Sequence, residues 1–501
     1  MWGQPPATSA RGRRRSIDTA ATVLVLALLL AGCGVLPGSG IAAPEFGNPL
    51  RIPELLEGSV SGDGRRSFDL DVTERQFDFG QGGPSSTIGI NSNYLGPTLR
   101  MTRGDTVNMN VQNSLQELTT LHWHGMHVPA RADGGPHQLI DPGDTWSPSW
   151  TIDQAPATLW YHSHPHGETA QQVYRGAAGM LLIEDPNQGD LGLPDEYGVD
   201  DVPVIVQDKS FTSDGQQIVD PEGTASTGFL GDTIVVNGTY GPVFDVTTQK
   251  IRLRLLNASN ARVYNFGFDD DREFEMIAGD GGYLDAPLRT DRVQLSPAER
   301  AEIVVTVRPG EEVQLTSYPP DLGVNPSRYG TGTVGVLQLR ARETLAPSAD
   351  IAEELPQDPP LSPSDAAGTR RFRISGLAIN GRPMQMNRID DTVTVDDIEI
   401  WEIANRDPQP HNFHVHDVQF RILDIDGEPP GPALSGPKDT VYVPPQRTVR
   451  ILLQFSDYTD PQWPYMYHCH LLWHEDLGIM GQFVVVRPGQ SADPQALHNH
   501  T

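Results

Sequence analysis

Cysteine is almost absent, with two in 501 residues, Cys33 and Cys469. Their contexts differ so much that no disulfide between them is expected, and each needs its own explanation. Positive charge is also short. There are 65 acidic side chains against 36 basic ones, and the net charge of −29 excludes the basic footprint by which proteins release counterions from nucleic acid. Such a surface is soluble and favours cations or neutral molecules as visitors. No apolar run reaches the ~20 residues needed to span a bilayer, and beyond the amino terminus there is no strong 3.6-residue stripe. Histidine is missing between Gly167 and Pro410, although the chain holds 15 of them. Glycine (50) and proline (43) are plentiful, which suits many short strands joined by turns. At 37% hydrophobic residues a packed protein is expected, long enough for about three domains of ~150 residues each.

The amino terminus reads as a targeting segment. Arg11–Arg15 is basic and precedes an apolar run from Thr19 to Ala31, the pattern of a secretory signal over residues 1–32. Leu30-Ala31-Gly32-Cys33 resembles a bacterial lipobox. That resemblance implies lipidation of Cys33, export, and anchoring outside the cytoplasmic membrane by acyl chains alone. Arg14-Arg15 resembles a twin-arginine export signal, from which Asp18 departs. Residues 33–61, rich in Gly, Pro and Ser, read as a tether.

Three times a strand-like segment ends in asparagine: Val107–Asn113, Ile251–Asn257 and Ile398–Asn405. The intervals are nearly equal and long enough for whole domains. Asn237-Gly238 and Asn380-Gly381 precede the second and third copies, and Asn93–Pro97 precedes the first. Apolar residues alternate with polar ones in each copy, as half-buried strands require. The expected fold is all-β, three sandwiches over residues 62–190, 191–345 and 368–490. An acidic, proline-rich linker falls at 346–367 and a tail at 491–501.

Ten histidines fall in four clusters: His122 and His124; His162 and His164; His411, His414 and His416; His468, His470 and His474. Residues i and i+2 of a strand share a face, so the pairs 122/124, 162/164, 414/416 and 468/470 each present two imidazoles side by side. Eight imidazoles can hold several metal ions. They come from the outer two domains, so they should meet at the interface of those domains, with the middle domain as a spacer. Cys469 must point the other way from His468 and His470. With His411 and His474 it makes a His₂Cys set, the arrangement of a blue-copper electron-transfer site. One tripeptide then joins two metal centres by a short covalent path. Structural zinc is content with four ligands, commonly several Cys, and does not account for this pattern. Copper does.

On these motifs the sequence resembles the three-domain multicopper oxidases: laccases, bacterial cuprous oxidases and bilirubin oxidases. The resemblance spans roughly residues 65–490. It rests on His122–Gly125, Trp160–His164, His411–His416 and His468–His474, with Gly279–Gly282 and Leu295–Arg300 as matching stretches that carry no ligand. It implies Greek-key cupredoxin domains and four copper ions. Type 1 copper would take His411, Cys469 and His474. Type 2 would take His122 and His414. The two type 3 ions would take His124, His162, His164, His416, His468 and His470. The implied reaction is one-electron oxidation of a small-molecule or metal-ion reductant, coupled to four-electron reduction of dioxygen to water. Asp133 and Glu475 stand where relatives carry acids, and oxygen reduction at a dry site needs protons delivered.

Three departures bear on substrate and potential. Asn412 replaces the family's usual Pro. Ile479 stands where many bacterial members hold an axial Met, with Met480 one step later and facing away, which implies three-coordinate type 1 copper. Cuprous oxidases carry an acid four residues before the first His of the third motif, a Met two before it, and a methionine-rich insert. Here the two positions hold Asp407 and Gln409, and the ten methionines form no insert. Met384 and Met386, at alternate positions, read as core. Asp407 either docks a cation or a phenolic proton, or simply caps the Asn405–Pro410 turn. The main expectation is an oxidase of phenols, aromatic amines or low-valent metal ions. One alternative is a dedicated Cu(I) oxidase in copper tolerance, which an envelope address favours and the missing methionines weaken. The other is a copper-free structural envelope protein like the cell-division relatives, which have lost ligands that this chain retains.

Overall fold

The computed structural model describes residues 41, 43–218, 227–324, 329 and 332–493. The signal segment, Cys33 and the last eight residues lie outside them. Six sheets pair into three sandwiches. The first closes over Phe68, Met109 and Trp123, the second over Leu253, Phe266 and Leu337, the third over Trp401, Phe413 and Phe483. Period-two patterning builds them directly. In Thr106–Asn113, Val107, Met109 and Val111 are buried while the polar residues between them stay half-exposed. Among the described residues no helix is long and apolar enough to cross a membrane.

The internal repeat is a repeat of strand pairing. In each sandwich a long early strand runs parallel to the one that ends in asparagine: Arg66–Asp78 with Thr106–Asn113, Asp201–Lys209 with Lys250–Asn257, and Gly368–Ile374 with Ile398–Asn405. A second parallel pair recurs in the facing sheet: Thr98–Thr102 with Ala178–Glu184, Pro242–Thr248 with Val334–Ala346, and Asp391–Thr394 with Met480–Val486. Parallel neighbours cannot be joined by a hairpin, so the chain crosses between sheets, as a Greek-key cupredoxin sandwich does.

The three terminal asparagines explain why the repeat is visible. Asn257 Nδ2 donates to the carbonyls of Arg262 and Leu295 at 2.8 and 2.9 Å, and its Oδ1 accepts from the Ser259 N–H at 3.1 Å. Asn113 makes the same set with Glu117, Ile140 and Leu115, and Asn405 with Gln409, Val443 and Asp407. All three are fully buried. A second clasp uses Asn237 and Asn380, both at positive φ, whose side chains bond a neighbouring strand at Ile205 and Pro203, and at Arg373 and Arg371. In the first sandwich this place belongs to Asn91, bonded to Asp71 and Asp69, and not to Asn93. Asparagine tolerates the left-handed backbone without a following glycine, so the Asn-Gly signature is absent there.

The tether reading is corrected. The described part of the 33–61 tether is built into the sheets: Asn48–Pro49, Leu55–Leu56 and Ser59–Val60 pair with strands of the body, and Leu50 is buried. These short pieces cover strand edges that would otherwise be open to pairing. Two α-helices also appear among the described residues, Thr169–Arg175 and Leu472–Asp476. At seven and five residues they are too short to print a 3.6-residue stripe. They hold the outer sandwiches together, because the Asp476 carboxylate accepts from the N–H groups of Gly167, Thr169 and Ala170.

Asn257→Ala would leave three buried backbone groups unpaired, so the apoprotein should lose stability on the order of 3 kcal/mol. Denaturant unfolding of the two proteins checks it, and an unchanged midpoint would show that the clasp is dispensable.

Candidate metal centre

Each outer sandwich contributes a cross-strand pair of histidine motifs. His122–His124 lies antiparallel to Ala157–His162, with His122 opposite His162. His411–Val415 lies antiparallel to Tyr465–His468, with His414 opposite His468. The two sets meet face to face across the interface. The rings of His122 and His416 stack with centroids 3.9 Å apart, and those of His124 and His414 at 3.7 Å. The structure brings all eight expected imidazoles into one buried cage.

Outward nitrogens are held by the protein. His122 Nδ1 donates to the Asp133 carbonyl at 2.8 Å, His414 Nδ1 to the Asp439 carbonyl at 2.8 Å, and His162 Nδ1 to the Ser163 carbonyl at 2.9 Å. His416 Nδ1 bonds Asp133 Oδ2 at 2.9 Å, and His124 Nε2 bonds Asp439 Oδ1 at 2.9 Å. Metal-binding histidines are oriented in this way. Inward nitrogens have only one another. Nε2 of His468 lies 3.3 Å from Nε2 of His164 and 3.2 Å from that of His416, and His162 and His470 face each other at 3.4 Å. His122 Nε2, His124 Nδ1 and His414 Nε2 are buried with no hydrogen-bond partner. Burial, then mutual repulsion, pushes His124, His162, His414, His416 and His470 well below the ordinary imidazole range. Lone pairs therefore face lone pairs, an arrangement that a cation satisfies. The donor set fits copper, and imidazoles suit it.

Glu475 closes one side of the cage. It is buried, with Oε2 3.0 Å from His468 Nδ1 and Oε1 3.2 Å from His164 Nδ1. Burial raises its pKa, but the facing imidazoles outweigh that and hold it well below the carboxylate range. Neither oxygen has a well-aligned hydrogen bond.

On the other face of the same sheet, Cys469 Sγ lies 3.4 Å from His411 Nδ1 and 3.7 Å from His474 Nδ1. Burial would raise the thiol, but these imidazoles bring it down to about 5, so a thiolate is available at neutral pH. His411 and His474 line a cleft of about 440 Å³ with Leu377, Asp407, Gln409 and Ile479. Asp407 Oδ2 bonds His411 Nε2 at 3.2 Å while its carboxylate accepts from the Gly376 N–H at 2.9 Å. The turn cap is therefore Asn405, which accepts from the Asp407 N–H, and not the Asp407 side chain. Ile479 is buried beside this site, and Met480 packs on the opposite face with Met466.

Four further residues bind the site together. Arg300 is fully buried and pairs with Asp439 through Nη1 at 2.8 Å and Nη2 at 2.6 Å. Asp439 in turn orients His124 and His414. The middle sandwich thus contributes a cation that fixes two cage histidines. Gly125 is required here: at φ +85° any Cβ would meet Asp439 Oδ2 at 2.6 Å. Asn412, the departure from Pro, accepts the His470 N–H at 2.6 Å and donates to the Pro297 carbonyl at 2.9 Å. Arg300 and Pro297 lie in a stretch the sequence flags. Asp439 sits in an ordinary-looking loop and carries no local signal.

Cupredoxin sandwiches that share a histidine cage and carry a thiolate site one residue away define a copper oxidase architecture. Models of the multicopper oxidase family match residues 71–188, 200–313 and 354–489. The chain belongs to the multicopper oxidase family. It is 36% identical to the multicopper oxidase mco of Staphylococcus haemolyticus, over 87% of this chain and 92% of that one. It is also 36% identical to the cell division protein FtsP of Escherichia coli, over 90% and 95%. The solved structure of a laccase-like multicopper oxidase CueO from Ochrobactrum superposes with a TM-score of 0.81 at 33% identity, covering 87% of this chain and all of that one.

Arg300→Met would leave Asp439 buried without its cation, a change that costs about 3–5 kcal/mol. The apoprotein's unfolding midpoint should fall clearly, whereas Arg340→Met, which removes a half-exposed pair with Asp245, should barely move it. Equal shifts in the two variants would contradict the assigned role.

Proposed function

We propose that this chain takes electrons singly from phenolic or aromatic reductants at a type 1 copper and passes them to dioxygen at a three-copper cage. His411, Cys469 and His474 would hold the first ion. His122 and His414 would hold the type 2 ion, and His124, His162, His164, His416, His468 and His470 the type 3 pair. The observation that carries this reading is the set of inward nitrogens without partners, placed one residue from a thiol poised to ionise. Relatives named as oxidases and as cell division proteins match equally well, so the complete donor set, not similarity, favours an enzyme. Bound copper would supply the one-electron exchange and the reduction of oxygen to water.

The chain's own residues supply the rest. Cys469 gives a covalent route through its backbone to His468 and His470, whose rings face the cage. Glu475, beside Nδ1 of His468 and His164, and Asp133, bonded to Nδ1 of His416, are the carboxylates placed to relay protons toward the cage, where oxygen reduction would consume them. At the cleft, Leu377, Pro408 and Ile479 offer apolar contact, and Asp407 accepts the proton that a phenol loses on oxidation. Among the described residues no thioether lines this cleft, which favours phenols over Cu(I) as its reductant. The Ochrobactrum oxidase is described as active towards lignin model compounds, in keeping with that choice. Export and anchoring through Cys33 rest on the Leu30–Cys33 motif alone.

The copper-loaded protein should show an intense blue thiolate-to-copper band, and Cys469→Ser should abolish it while the cage keeps its copper, measured by absorption and metal analysis. A blue Ser variant would sink the ligand assignment. Asp407→Asn should lower kcat/KM for phenols by about a hundredfold, the lower end of what a positioned proton acceptor contributes, and leave outer-sphere donors and the blue band unchanged. Equal slowing of all donors would place Asp407 outside substrate docking.

A further inference from the structure

Four methionines gather in one place. Met384, Met466 and Met480 are buried against one another, half-buried Met386 packs on them, and every hydrophobic residue of this cluster is a methionine. Strand alternation gives its position. Tyr465, Tyr467 and Cys469 face the core of the third sandwich, so Met466 and His468 leave on the opposite face. Met480 is paired directly with His468 across two antiparallel strands, which sets their Cβ atoms about 5 Å apart. The Met466 carbonyl accepts the His416 N–H at 3.0 Å. The thioethers therefore lie on the cage side of the sheet, away from Cys469 and the reductant cleft.

Met384 and Met386 arrive from the segment before Asp391–Thr394 and are fixed there by the backbone. Met384 N–H donates to the Gly478 carbonyl at 3.0 Å, and Gln482 Nε2 donates to the Met386 carbonyl at 3.1 Å. Met386 reaches the surface; Met480 stands beside His468. Packing alone does not call for this composition, since leucine or isoleucine fills an apolar layer with better-defined rotamers. Soft thioethers select Cu(I) over harder cations. A buried set of uncharged donors also suits a single positive charge better than a double one, because the desolvation cost of the ion is smaller.

We propose that Met384, Met386, Met466 and Met480 form a thioether site for Cu(I) that loads the histidine cage. The ion enters at Met386 and passes by ligand exchange from sulfur to the His468 imidazole. It moves as Cu(I), with no electron transferred and no bond of the protein made or broken. The idea rests on the copper reading above, and its test separates the two.

Ag(I), a redox-inert stand-in for Cu(I), is titrated into the copper-loaded protein against a soft competing chelator. With cage and type 1 site already filled, wild type should retain one further Ag(I). Met384→Leu/Met386→Leu should bind it at least tenfold more weakly, with the blue band kept. Anaerobic loading of the apoprotein with Cu(I) should then fill the cage at least tenfold more slowly in the double variant, while loading with Cu(II) proceeds alike in both. Should Met384→Leu impair folding, half-exposed Met386→Leu alone carries the same comparison. Equal Ag(I) affinities, or equal Cu(I) loading rates, overturn the proposal. A wild type that loads copper but never turns blue overturns the ligand assignment instead and leaves the silver result to be judged separately.

Discussion

Along an extended backbone successive side chains leave on opposite faces, and in His468-Cys469-His470 that alternation has a chemical consequence. The two imidazoles enter a cage shared with the first sandwich, while the thiol faces His411 and His474 inside the third. Shifting the register of this strand by one residue would exchange the faces and dissolve both sites at once. The strand is therefore held tightly. His470 N–H bonds the Asn412 side chain, Cys469 N–H bonds the Ile479 carbonyl, and Tyr467 hydroxyl bonds Asp391 at 2.8 Å. Because the cage nitrogens of the two outer sandwiches face one another, metal binding and the docking of those sandwiches share one free energy.

The middle sandwich carries no histidine, yet it is more than a spacer. Arg254 bonds Asp201 and Glu302 within it and reaches Thr158 of the first sandwich at 2.7 Å. Lys438 of the third sandwich sits between Asp280 and Glu299, both of the second. These ions are almost wholly buried, so each is costly unless its partners are in place. Such a network acts as a register device: the three sandwiches fit with low energy in one arrangement, and in that arrangement Arg300 meets Asp439. The dimensions of the cage thus depend on a domain that contributes no ligand.

Much of this was legible in the sequence for a definite reason. His-X-His spacing and period-two patterning are local, and a strand converts them into geometry without further information. Repeated asparagines are legible because one buried amide makes three bonds that no other side chain reproduces. What the sequence hides is non-local. Asp439 acquires its role from Arg300, 139 residues away, and nothing nearby marks it. The edge strands of residues 48–60 look like a tether because their partners, not their composition, make them strands. Met466 and Met480 lie fourteen positions apart and read as scattered core until antiparallel pairing sets them on one face.

That division of faces bears on which reductant the cleft serves. The sheet of Tyr465–His468 and Met480–Val486 has a side turned to Cys469 and a side turned to the cage. Apolar Leu377, Pro408 and Ile479 with Asp407 occupy the approach to the first. All four clustered thioethers occupy the second. A protein whose reductant was Cu(I) would gain from soft ligands next to His411, where the electron enters, and gains nothing as a donor site from placing them behind the sheet. Sulfur beside His468 would instead give a soft ion a route to the cage imidazoles. On the proposed reading, separating the two chemistries would also protect them: a phenol reaching Asp407 would meet no thioether, and a cuprous ion held by Met386 would be kept from competing for the cleft.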